Sequence, residues 1–365
     1  MQFGINVFDF GAKGDGVTDD TQAIQSAINY AAERGGGKIL FPYTPGGYRI
    51  ASPAIEEYDG KPLRSQLVIP PGNGNICLEG EMPCRMGSAY SVRSLEALKH
   101  KILPTRFQEF CDIPFGGDNT RIFSDWEAPE EHDGTARPWS IISAPEGEMH
   151  RGNFSVLQFS IVNLDFRVPV NLDKMYPTQS AVNLQNVARV NISDSQFAIG
   201  ESMGDYVLEK ELLPNPCHTA GLITSADQND NNVLRNVAIQ GFRYGLVSGE
   251  NVVSEYLYFF NCEEALTFHD CSHLSVFNHI VAHHNAVVVS TAEIELFGMP
   301  KGECNVQIGT IDFESGIGQK PAVSQLRYGV LDRENRLRRS LKWFEPWGPK
   351  KFPTICSDKF KVIEF

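Results

Sequence analysis

Two adjacent glutamates, Glu263 and Glu264, are the residues best suited to bond-breaking chemistry, and Asp270 follows them closely. Hydrolysis of a glycosidic bond requires one protonated carboxylic acid and one ionised carboxylate. Two neighbouring carboxylates shift each other's pKa, so that one can stay protonated near neutral pH. We therefore predict that these three residues supply acid–base catalysis. A pair of solvated turn residues is the alternative interpretation of the two glutamates.

The direction of the two glutamates qualifies this prediction. Adjacent residues of a strand point to opposite faces, so one carboxylate is expected to point away from the substrate. The second carboxylate can then come from Asp270, Asp227 or Asp230. The segment from Asp227 to Asp230 also offers oxygen ligands for calcium, although an Asn-rich turn explains it equally well.

Five polar or aromatic residues near these carboxylates are predicted to bind the substrate. They are His218, Arg243, Tyr244, His269 and His284. Five of the nine histidines lie between residues 269 and 284, but their spacing is not that of a recognised metal site. We predict no metal ligands and no cofactor, with calcium as the alternative if the enzyme is a lyase.

A repeat of about 20 residues begins near residue 153 and indicates a solenoid. Short apolar strands recur between Asn-rich turns, at residues 221–224, 245–248, 265–268 and 286–289. An earlier apolar strand, 181–184, starts 40 residues before the first of these, which suits two turns and an inserted loop. One turn cannot bury its apolar face alone, so neighbouring turns must stack into a continuous core. An antiparallel β sandwich is the alternative, and it fits the period poorly.

Stacking these strands places the candidate residues in consecutive layers, about 4.8 Å apart. Arg243–Tyr244, Glu263–Glu264 and His284–Asn285 each stand immediately before one of the apolar strands. His218 lies one layer earlier. The repeat therefore predicts one site assembled from neighbouring turns, with the glutamates in the middle layer.

The first 50 residues contain the most specific pattern in the chain. Val7, Phe8 and Phe10 suggest a short strand, and a glycine-rich turn follows at residues 11–16. Asp19 or Asp20 can cap a helix. Apolar residues then recur at helical spacing until three glycines end the helix: Ala23, Ile24, Ala27, Ile28, Ala31 and Gly35 to Gly37. Residues 38–42 and 48–50 are predicted to be strands.

This order of features resembles the N-terminal signature of the pectate-lyase superfamily. The resemblance implies an all-β fold, a single-stranded right-handed parallel β-helix whose open end is covered by an N-terminal capping α-helix. It indicates the fold better than the reaction, because the superfamily includes hydrolases, lyases, epimerases and phage tailspikes. The aspartates of the opening segment, Asp15, Asp19 and Asp20, are interpreted as turn and capping residues rather than as a catalytic cluster.

The three predicted layers also resemble, in position only, those of the polygalacturonase-like glycoside hydrolases. That family carries Asn-Thr-Asp, Asp-Asp and Gly-His-Gly in three successive turns. Glu263–Glu264 falls at the Asp-Asp pair, and His284 falls at or beside the family's histidine. Arg243–Tyr244 replaces Asn-Thr-Asp, so one carboxylate is missing, and the family's later Arg-x-Lys is not evident.

We predict one β-helix domain over residues 1–365. It consists of an N-terminal strand and cap (1–50), long loops on the early turns (52–150), the β-helix turns (153–320) and a C-terminal tail (325–365). The tail is expected to fold back along the β-helix or to meet another subunit, so a homo-oligomer is a possible assembly.

Composition and charge exclude several classes of partner. The net charge is −13, from 45 acidic and 32 basic residues, which argues against nucleic acid because phosphate binding needs a basic face. The eight cysteines include no C-x-x-C pair, so we expect reduced thiols. No run of 18 apolar residues and no export signal is visible, which predicts a cytoplasmic protein with no membrane association, or a secreted one if an export segment has been removed.

These observations predict a carbohydrate-active enzyme, in first place a glycoside hydrolase that cleaves an oligo- or polysaccharide by carboxylate catalysis. The first alternative is a polysaccharide lyase or epimerase acting beside a uronate, with Arg243, Tyr244 and His284 in the reacting positions. The second is a non-catalytic, phage-tailspike-like carbohydrate-binding protein, which predicts an obligate trimer. Absorbance from an unsaturated product separates a lyase from a hydrolase.

Overall fold

The structure is a computed structural model that describes most of the strands predicted from the repeat. It describes residues 4–82, 119–129, 134–148, 154–169, 178–199, 218–225, 231–260, 262, 264–269, 273–283, 287–292, 295–300, 305–314, 336–337, 342–344 and 361–362.

One sheet contains eight strands and carries the candidate residues. Numbered along the chain, its strands are β5 (Ile55–Tyr58), β6 (Lys61–Val68), β9 (Trp139–Ser143), β12 (Gln179–Leu184), β14 (Ala220–Thr224), β16 (Tyr244–Ser248), β19 (Glu264–Phe268) and β21 (Val287–Thr291). All its described pairs are parallel except β5 with β6.

A second sheet contains fifteen strands and forms the other sides of the solenoid. They are β1 (Ile5–Asn6), β2 (Asp15–Asp19), β3 (Gly37–Phe41), β4 (Gly47–Ile50), β7 (Gly72–Gly80), β8 (Arg121–Ser124), β10 (Val156–Val162), β11 (Asp165–Val168), β13 (Val187–Ile199), β15 (Asn231–Gln240), β17 (Val252–Ser254), β18 (Leu257–Phe260), β20 (Leu274–His283), β22 (Asn305–Glu314) and β24 (Lys342–Phe344). The short strands β23 (Arg336–Leu337) and β25 (Lys361–Val362) pair with each other.

Each turn of the chain runs through the eight-stranded sheet once and then through two segments of the fifteen-stranded sheet. The two segments meet at a bend where Asn163, Asp194 and Asn236 adopt left-handed backbone conformations, with φ of 57°, 49° and 53°. Asparagine and aspartate tolerate this conformation better than other side chains. Parallel strands joined by such crossovers wind right-handed. The prediction of an all-β parallel β-helix is confirmed.

The core is a column of apolar side chains that continues from turn to turn. Leu222, Leu246, Leu266 and Val289 occupy equivalent positions of successive strands, and all four are fully buried. Aromatic residues of the second sheet fill the interior from the other side, including Phe159, Phe166, Phe197 and Phe259. The apolar strands predicted from the repeat therefore form the buried face, as expected for a solenoid.

The register corrects two details of the predicted repeat. Val182 pairs directly with Leu222, so the 40 residues between the strands at 181 and 221 form one long turn and not two. Glu264 pairs with Val287, whereas the prediction aligned residues 265 and 286. The connection before β21 is therefore two residues longer than predicted.

The N-terminal cap is the helix α1 (Thr21–Glu33), which was predicted from its apolar spacing. Ile24, Ala27, Ile28 and Ala31 are fully buried in the main core. Burying these four side chains at the first turns covers the end of the solenoid, which would otherwise expose the core to water.

The predicted first strand over Val7 to Phe10 is wrong, because these residues form a 3-10 helix (Val7–Phe10) and the strand is Ile5–Asn6. The Asn6 side chain accepts a hydrogen bond from the Phe8 N–H at 2.9 Å, and Gly11 ends the turn with φ of 97°. This local hydrogen bonding competes with extension of the strand.

The aspartates of the opening segment hold the turn, as predicted, but Asp20, which occupies the N-cap of α1, makes no capping hydrogen bond with its side chain. Asp15 accepts hydrogen bonds from the N–H groups of Val17 and Thr18, and Asp20 accepts them from Lys13 and Gly14.

Asp19 connects the start of α1 to the residues after β4. It accepts hydrogen bonds from Thr21, Ala51 and Ser52. Partial burial raises its pKa, but the hydrogen bonds from Thr21, Ser52 and Ala51 outweigh burial and lower it to about 2.

Residues 52–150, for which long loops were predicted, contribute strands β5 to β9 to the two sheets. The prediction did not locate these strands, because their sequences lack the period of the later turns. A second 3-10 helix (Leu296–Gly298) follows β21. No helix among the described residues has the length and hydropathy of a membrane span.

Candidate active site

The outer face of the eight-stranded sheet carries two rows of side chains that cross successive turns. The first row is Ser140, Ser180, Ala220, Tyr244 and Glu264. The second row is Ser143, Asn183, Ile223, Val247, Thr267 and Ser290. Both rows are polar at their ends and apolar in the middle, so polar groups lie on either side of an apolar centre.

The apolar centre of this face is covered by the segment that follows β21. Leu296, Phe297 and Met299 pack on Tyr244 and its neighbours, in a cluster separate from the main core. The Phe297 N–H donates to the Gly134 carbonyl at 2.6 Å. The segments around residues 134 and 297 therefore meet above the middle of the sheet.

Arg243, Tyr244 and His218 lie together at this point. The Arg243 guanidinium carbon is 5.2 Å from the centre of the Tyr244 ring. The His218 ring stacks on the same ring, with centroids 6.3 Å apart and planes at 13°. Phe297 meets Tyr244 edge-on, with centroids 6.0 Å apart. The three predicted binding residues thus form one contact group.

The backbone fixes this group through the neighbouring turn. The Tyr244 N–H donates to the Thr219 carbonyl at 2.9 Å, and the Arg243 N–H donates to the Thr219 hydroxyl at 3.1 Å. His218 and Tyr244 are buried, whereas Arg243 is partly exposed. An arginine in this position can bind a carboxylate through two parallel hydrogen bonds, while tyrosine and histidine can transfer protons.

Glu264 lies one layer from Tyr244, as predicted, since the two residues pair across β16 and β19. One of its carboxylate oxygens accepts a hydrogen bond from the Thr267 hydroxyl at 3.1 Å and another from the Ser290 hydroxyl. Thr267 and Ser290 are buried, and Glu264 is partly exposed. The carboxylate is therefore held in one orientation at the edge of the covered region.

His269 follows the last residue of β19 and is fully buried. It lies five residues after Glu264 along extended chain, or about 16 Å away. Its Nδ1 lies 3.3 Å from the Pro300 carbonyl, and burial lowers its pKa to about 4. The ring is consequently neutral at neutral pH. The structure does not bring it to the Arg243 group.

The remaining predicted residues lie outside the described residues. They are Glu263, Asp270, His284, Asp227 and Asp230. The acid–base pair of Glu263 and Glu264 therefore stays a prediction. Within the described ranges, no group of three or more His, Cys, Asp or Glu residues is arranged to hold a metal ion.

Sequence reasoning missed a carboxylate–imidazole pair, Glu250 and His273. The Glu250 side chain is fully buried and accepts a hydrogen bond from the His273 N–H at 3.0 Å, and it lies 2.7 Å from His273 Nδ1. The two residues follow β16 and β19 in successive turns. Their contact could have been found only from the stacking of the turns, since 23 residues separate them in sequence.

Comparison with known proteins agrees with the N-terminal pattern. Residues 4–61 match the family described as rhamnogalacturonase A/epimerase, pectate lyase-like. Alginate lyase 7 of Azotobacter vinelandii is 59% identical over 46 residues, which are 13% of this chain and 5% of that protein. The mannuronan C5-epimerase AlgE6 of the same organism is 56% identical over 55 residues, 15% of this chain and 6% of that protein. The chain thus spans only a small part of these relatives.

Two solved structures are similar over longer ranges. The A-module of the Azotobacter vinelandii mannuronan epimerase AlgE6 has a TM-score of 0.39 at 17% identity, covering 86% of this chain and 74% of that one. A tailspike of Escherichia coli bacteriophage HK620, in complex with a hexasaccharide, has a TM-score of 0.30 at 11% identity, covering 92% of this chain and 66% of that one. The strand topology confirms the predicted parallel β-helix, and the match over residues 4–61 agrees with the resemblance to pectate-lyase-like proteins that the sequence suggested.

Proposed function

We propose that the chain is a carbohydrate-active enzyme that removes the proton beside the carboxylate of a uronate-containing polysaccharide, as a lyase or an epimerase. The observation that carries the proposal is the contact group of Arg243, Tyr244 and His218 on the outer face of the sheet. A cation and two proton-transferring side chains are what this chemistry requires. A lyase or an epimerase is therefore preferred to a glycoside hydrolase.

Each residue of the group has a specific role. Arg243 binds the substrate carboxylate and stabilises the negative charge that develops when the adjacent C–H bond breaks. Tyr244 or His218 accepts that proton. In a lyase, the electron pair forms a carbon–carbon double bond, the glycosidic C–O bond breaks, and the leaving oxygen takes a proton. In an epimerase, a proton returns to the same carbon from the opposite face.

Two further observations support this assignment. The N-terminal relatives include a lyase named for alginate and an epimerase named for mannuronan. The guanidinium of Arg243 supplies the positive charge without a metal ion, so we propose that calcium is not required. Activity that survives chelation would agree with this, whereas a calcium requirement would remove Arg243 from its proposed role.

A glycoside hydrolase is the second candidate, and Glu264 is the observation that favours it. Its carboxylate is held by Thr267 and Ser290 one layer from Tyr244. Hydrolysis would need a second carboxylate within about 10 Å, for which Glu263 and Asp270 are the proposed residues. The two candidates therefore depend on different side chains.

The test compares wild-type protein with Arg243→Ala and Tyr244→Phe on mannuronan and pectate. Three signals are followed together: ultraviolet absorbance of an unsaturated product, deuterium incorporation beside the carboxylate in D2O, and reducing ends. We expect absorbance or deuterium incorporation in the wild type. We expect Arg243→Ala to lose at least about 100-fold in kcat, the scale for removal of one charge-stabilising donor.

Matched controls are Arg235→Ala and Tyr30→Phe, which change an exposed arginine of β15 and a surface tyrosine of α1. Both should retain wild-type rates. Reducing ends without absorbance or exchange, unaffected by Tyr244→Phe and lost in Glu264→Gln, would instead establish the hydrolase.

A further inference from the structure

The row of residues that contains Arg243 extends along the start of the strands of the eight-stranded sheet. From β6 to β16 it consists of Arg64, Trp139, Gln179, Thr219 and Arg243. Neighbouring layers are about 4.8 Å apart, so Trp139 lies three layers, or about 14 Å, from Arg243. Arg64 lies four layers, or about 19 Å, from Arg243. A polysaccharide that follows this edge of the sheet can therefore meet the two arginines with different sugar units.

Trp126 and Arg64 pack on Trp139 at the distal end of this row. The rings of Trp126 and Trp139 meet edge to face, with centroids 5.5 Å apart and planes at 68°. The Arg64 guanidinium carbon lies 4.8 Å from the centre of the Trp139 ring. Trp139 is only 3% exposed, whereas Trp126 and Arg64 are both partly exposed. Trp139 is therefore a buried support, and the two side chains that pack on it reach the surface.

The backbone around Trp126 is fixed by two polar contacts. The Trp126 N–H donates to the hydroxyl of the buried Ser124 at 3.2 Å. The preceding residue, Asp125, forms an ion pair with Arg49 of β4 at 2.6 Å. A side chain that is already held in place loses little conformational freedom when a ligand binds to it. Trp126 is therefore suited to serve as a rigid binding surface.

Arg64 brings a positive charge to the same place. Its Nη1 donates to the Arg137 carbonyl at 3.2 Å, and this uncharged acceptor does not neutralise the guanidinium. Arg137 itself pairs with Glu146 at 3.3 Å, so its own charge is compensated. A partly exposed guanidinium can bind a carboxylate through two parallel hydrogen bonds. The row thus has a partly exposed arginine at each end, Arg64 and Arg243.

We propose that Trp126 and Arg64 form a distal subsite that binds a second uronate unit of the substrate chain. This inference rests on the proposed function, which places another uronate unit at Arg243. The C–H groups of a sugar ring suit the negative face of the indole of Trp126, and Arg64 binds the carboxylate of the same unit. Because the two ends of the row are several layers apart, only a chain of several sugar units fills both. The substrate is therefore a polyuronate and not a single sugar or a disaccharide.

The experiment measures binding of a mannuronan octasaccharide and of a neutral glucan octasaccharide by calorimetry. All proteins carry Arg243→Ala, so that the probe is not consumed. The test variants are Trp126→Ala, which removes the stacking surface, and Arg64→Gln, which removes the charge. The matched controls are Tyr30→Ala and Arg34→Gln, since Arg34 lies over the Tyr30 ring at the end of α1, 3.5 Å from its centre.

We expect the mannuronan probe to bind saturably and the neutral probe to bind at least about tenfold more weakly, because it lacks the charged acceptor. Each test variant should weaken mannuronan binding about tenfold, the scale for truncation of a side chain central to a binding site. The controls should leave the affinity unchanged. Equal affinity for the two probes, absence of mannuronan binding, or equal affinity in all folded variants would overturn the proposal.

Folding of each variant is checked by circular dichroism and by its melting temperature. If Trp126→Ala fails to fold, Trp126→Leu replaces it, because leucine keeps an apolar contact with Trp139.

Binding in the Arg243→Ala background does not require turnover, so the two proposals can fail separately. If the wild type has no lyase or epimerase activity but binding is weakened by Trp126→Ala and Arg64→Gln, the proposed reaction is wrong and the subsite stands. If the wild type turns over mannuronan but neither variant changes binding, the reaction stands and the subsite is wrong.

Discussion

Tyr244 and Glu264 stand next to each other in the stack, yet their surroundings differ sharply. Tyr244 is enclosed by His218, Arg243 and Phe297, whereas Glu264 is held by two hydroxyl groups at the edge of the covered region. Fixed donors stabilise a developing charge more strongly where water is excluded. At this scale, enclosure favours the tyrosine as the reacting group.

His269 leads to a prediction on stability. Burial lowers its pKa from 6.5 to about 4, so the unfolded chain binds the proton more tightly than the folded one. The folded state has its full stability above pH 6.5 and loses it as the pH falls towards 4. The free energy of unfolding should drop by about 3 kcal/mol over this window.

The measurement is urea denaturation of wild type and His269→Asn between pH 7 and pH 4. Asparagine can still donate to the Pro300 carbonyl but does not titrate. The difference between the two proteins should therefore shrink as the pH falls. Parallel pH profiles would show that His269 does not titrate in this range.

Individual site residues were predictable only where the residues in contact occupy equivalent positions of neighbouring repeats. Tyr244 and Glu264 were placed in neighbouring layers from their positions before apolar strands. Thr267 and Ser290 were missed, because their hydroxyls reach the glutamate only through the register of β19 with β21. That register differs by two residues from the prediction.

At the scale of elements, α1 closes the first turns of the solenoid. Its apolar spacing was visible in the sequence because a helix with one buried face must repeat every three to four residues. The 3-10 helix over Val7–Phe10 was not visible, since its apolar residues fit a strand equally well. The side chain of Asn6 decided between them through its hydrogen bond to Phe8.

Ile28 is fully buried against the core, so Ile28→Ala should lower the free energy of unfolding by about 2 to 5 kcal/mol. The control is Gln22→Ala on the exposed side of the same helix, which should change it by less than about 0.5 kcal/mol. Both values come from urea titrations, and equal effects would mean that the helix is not packed as described.

At the scale of the whole molecule, the pairing of Tyr244 with Glu264 defines a turn of 20 residues. Deleting residues 244–263 joins Arg243 to Glu264 and removes one complete turn. Strand β19 then falls beside β14, and β20 beside β15. We expect the shortened protein to fold as a parallel solenoid with one cooperative transition at a lower melting temperature, because each turn contacts only its neighbours.

The control deletion removes residues 244–258, which is not a whole turn. It should give an unfolded or aggregated protein, since the remaining strands lose their register. Circular dichroism and thermal unfolding distinguish the two products. Similar behaviour of both deletions would argue against modular stacking.

The whole fold was predictable because the period and the N-terminal pattern point to the same architecture. The lengths of the connections between strands were not predictable, because the spacing of apolar residues within strands does not determine the lengths of the loops that join them. This is why one turn of 40 residues was divided into two, and why strands β5 to β9 were interpreted as loops.

The bend at Asn163, Asp194 and Asn236 has a consequence for engineering. Asn236 donates to the Asp194 carboxylate at 2.6 Å, which links the corners of adjacent turns independently of the connections near Tyr244. The corners of the solenoid are thus held by contacts that do not involve the segments around Tyr244. Segments with other side chains could be grafted between the strands, with the corner residues kept as fixed anchor points.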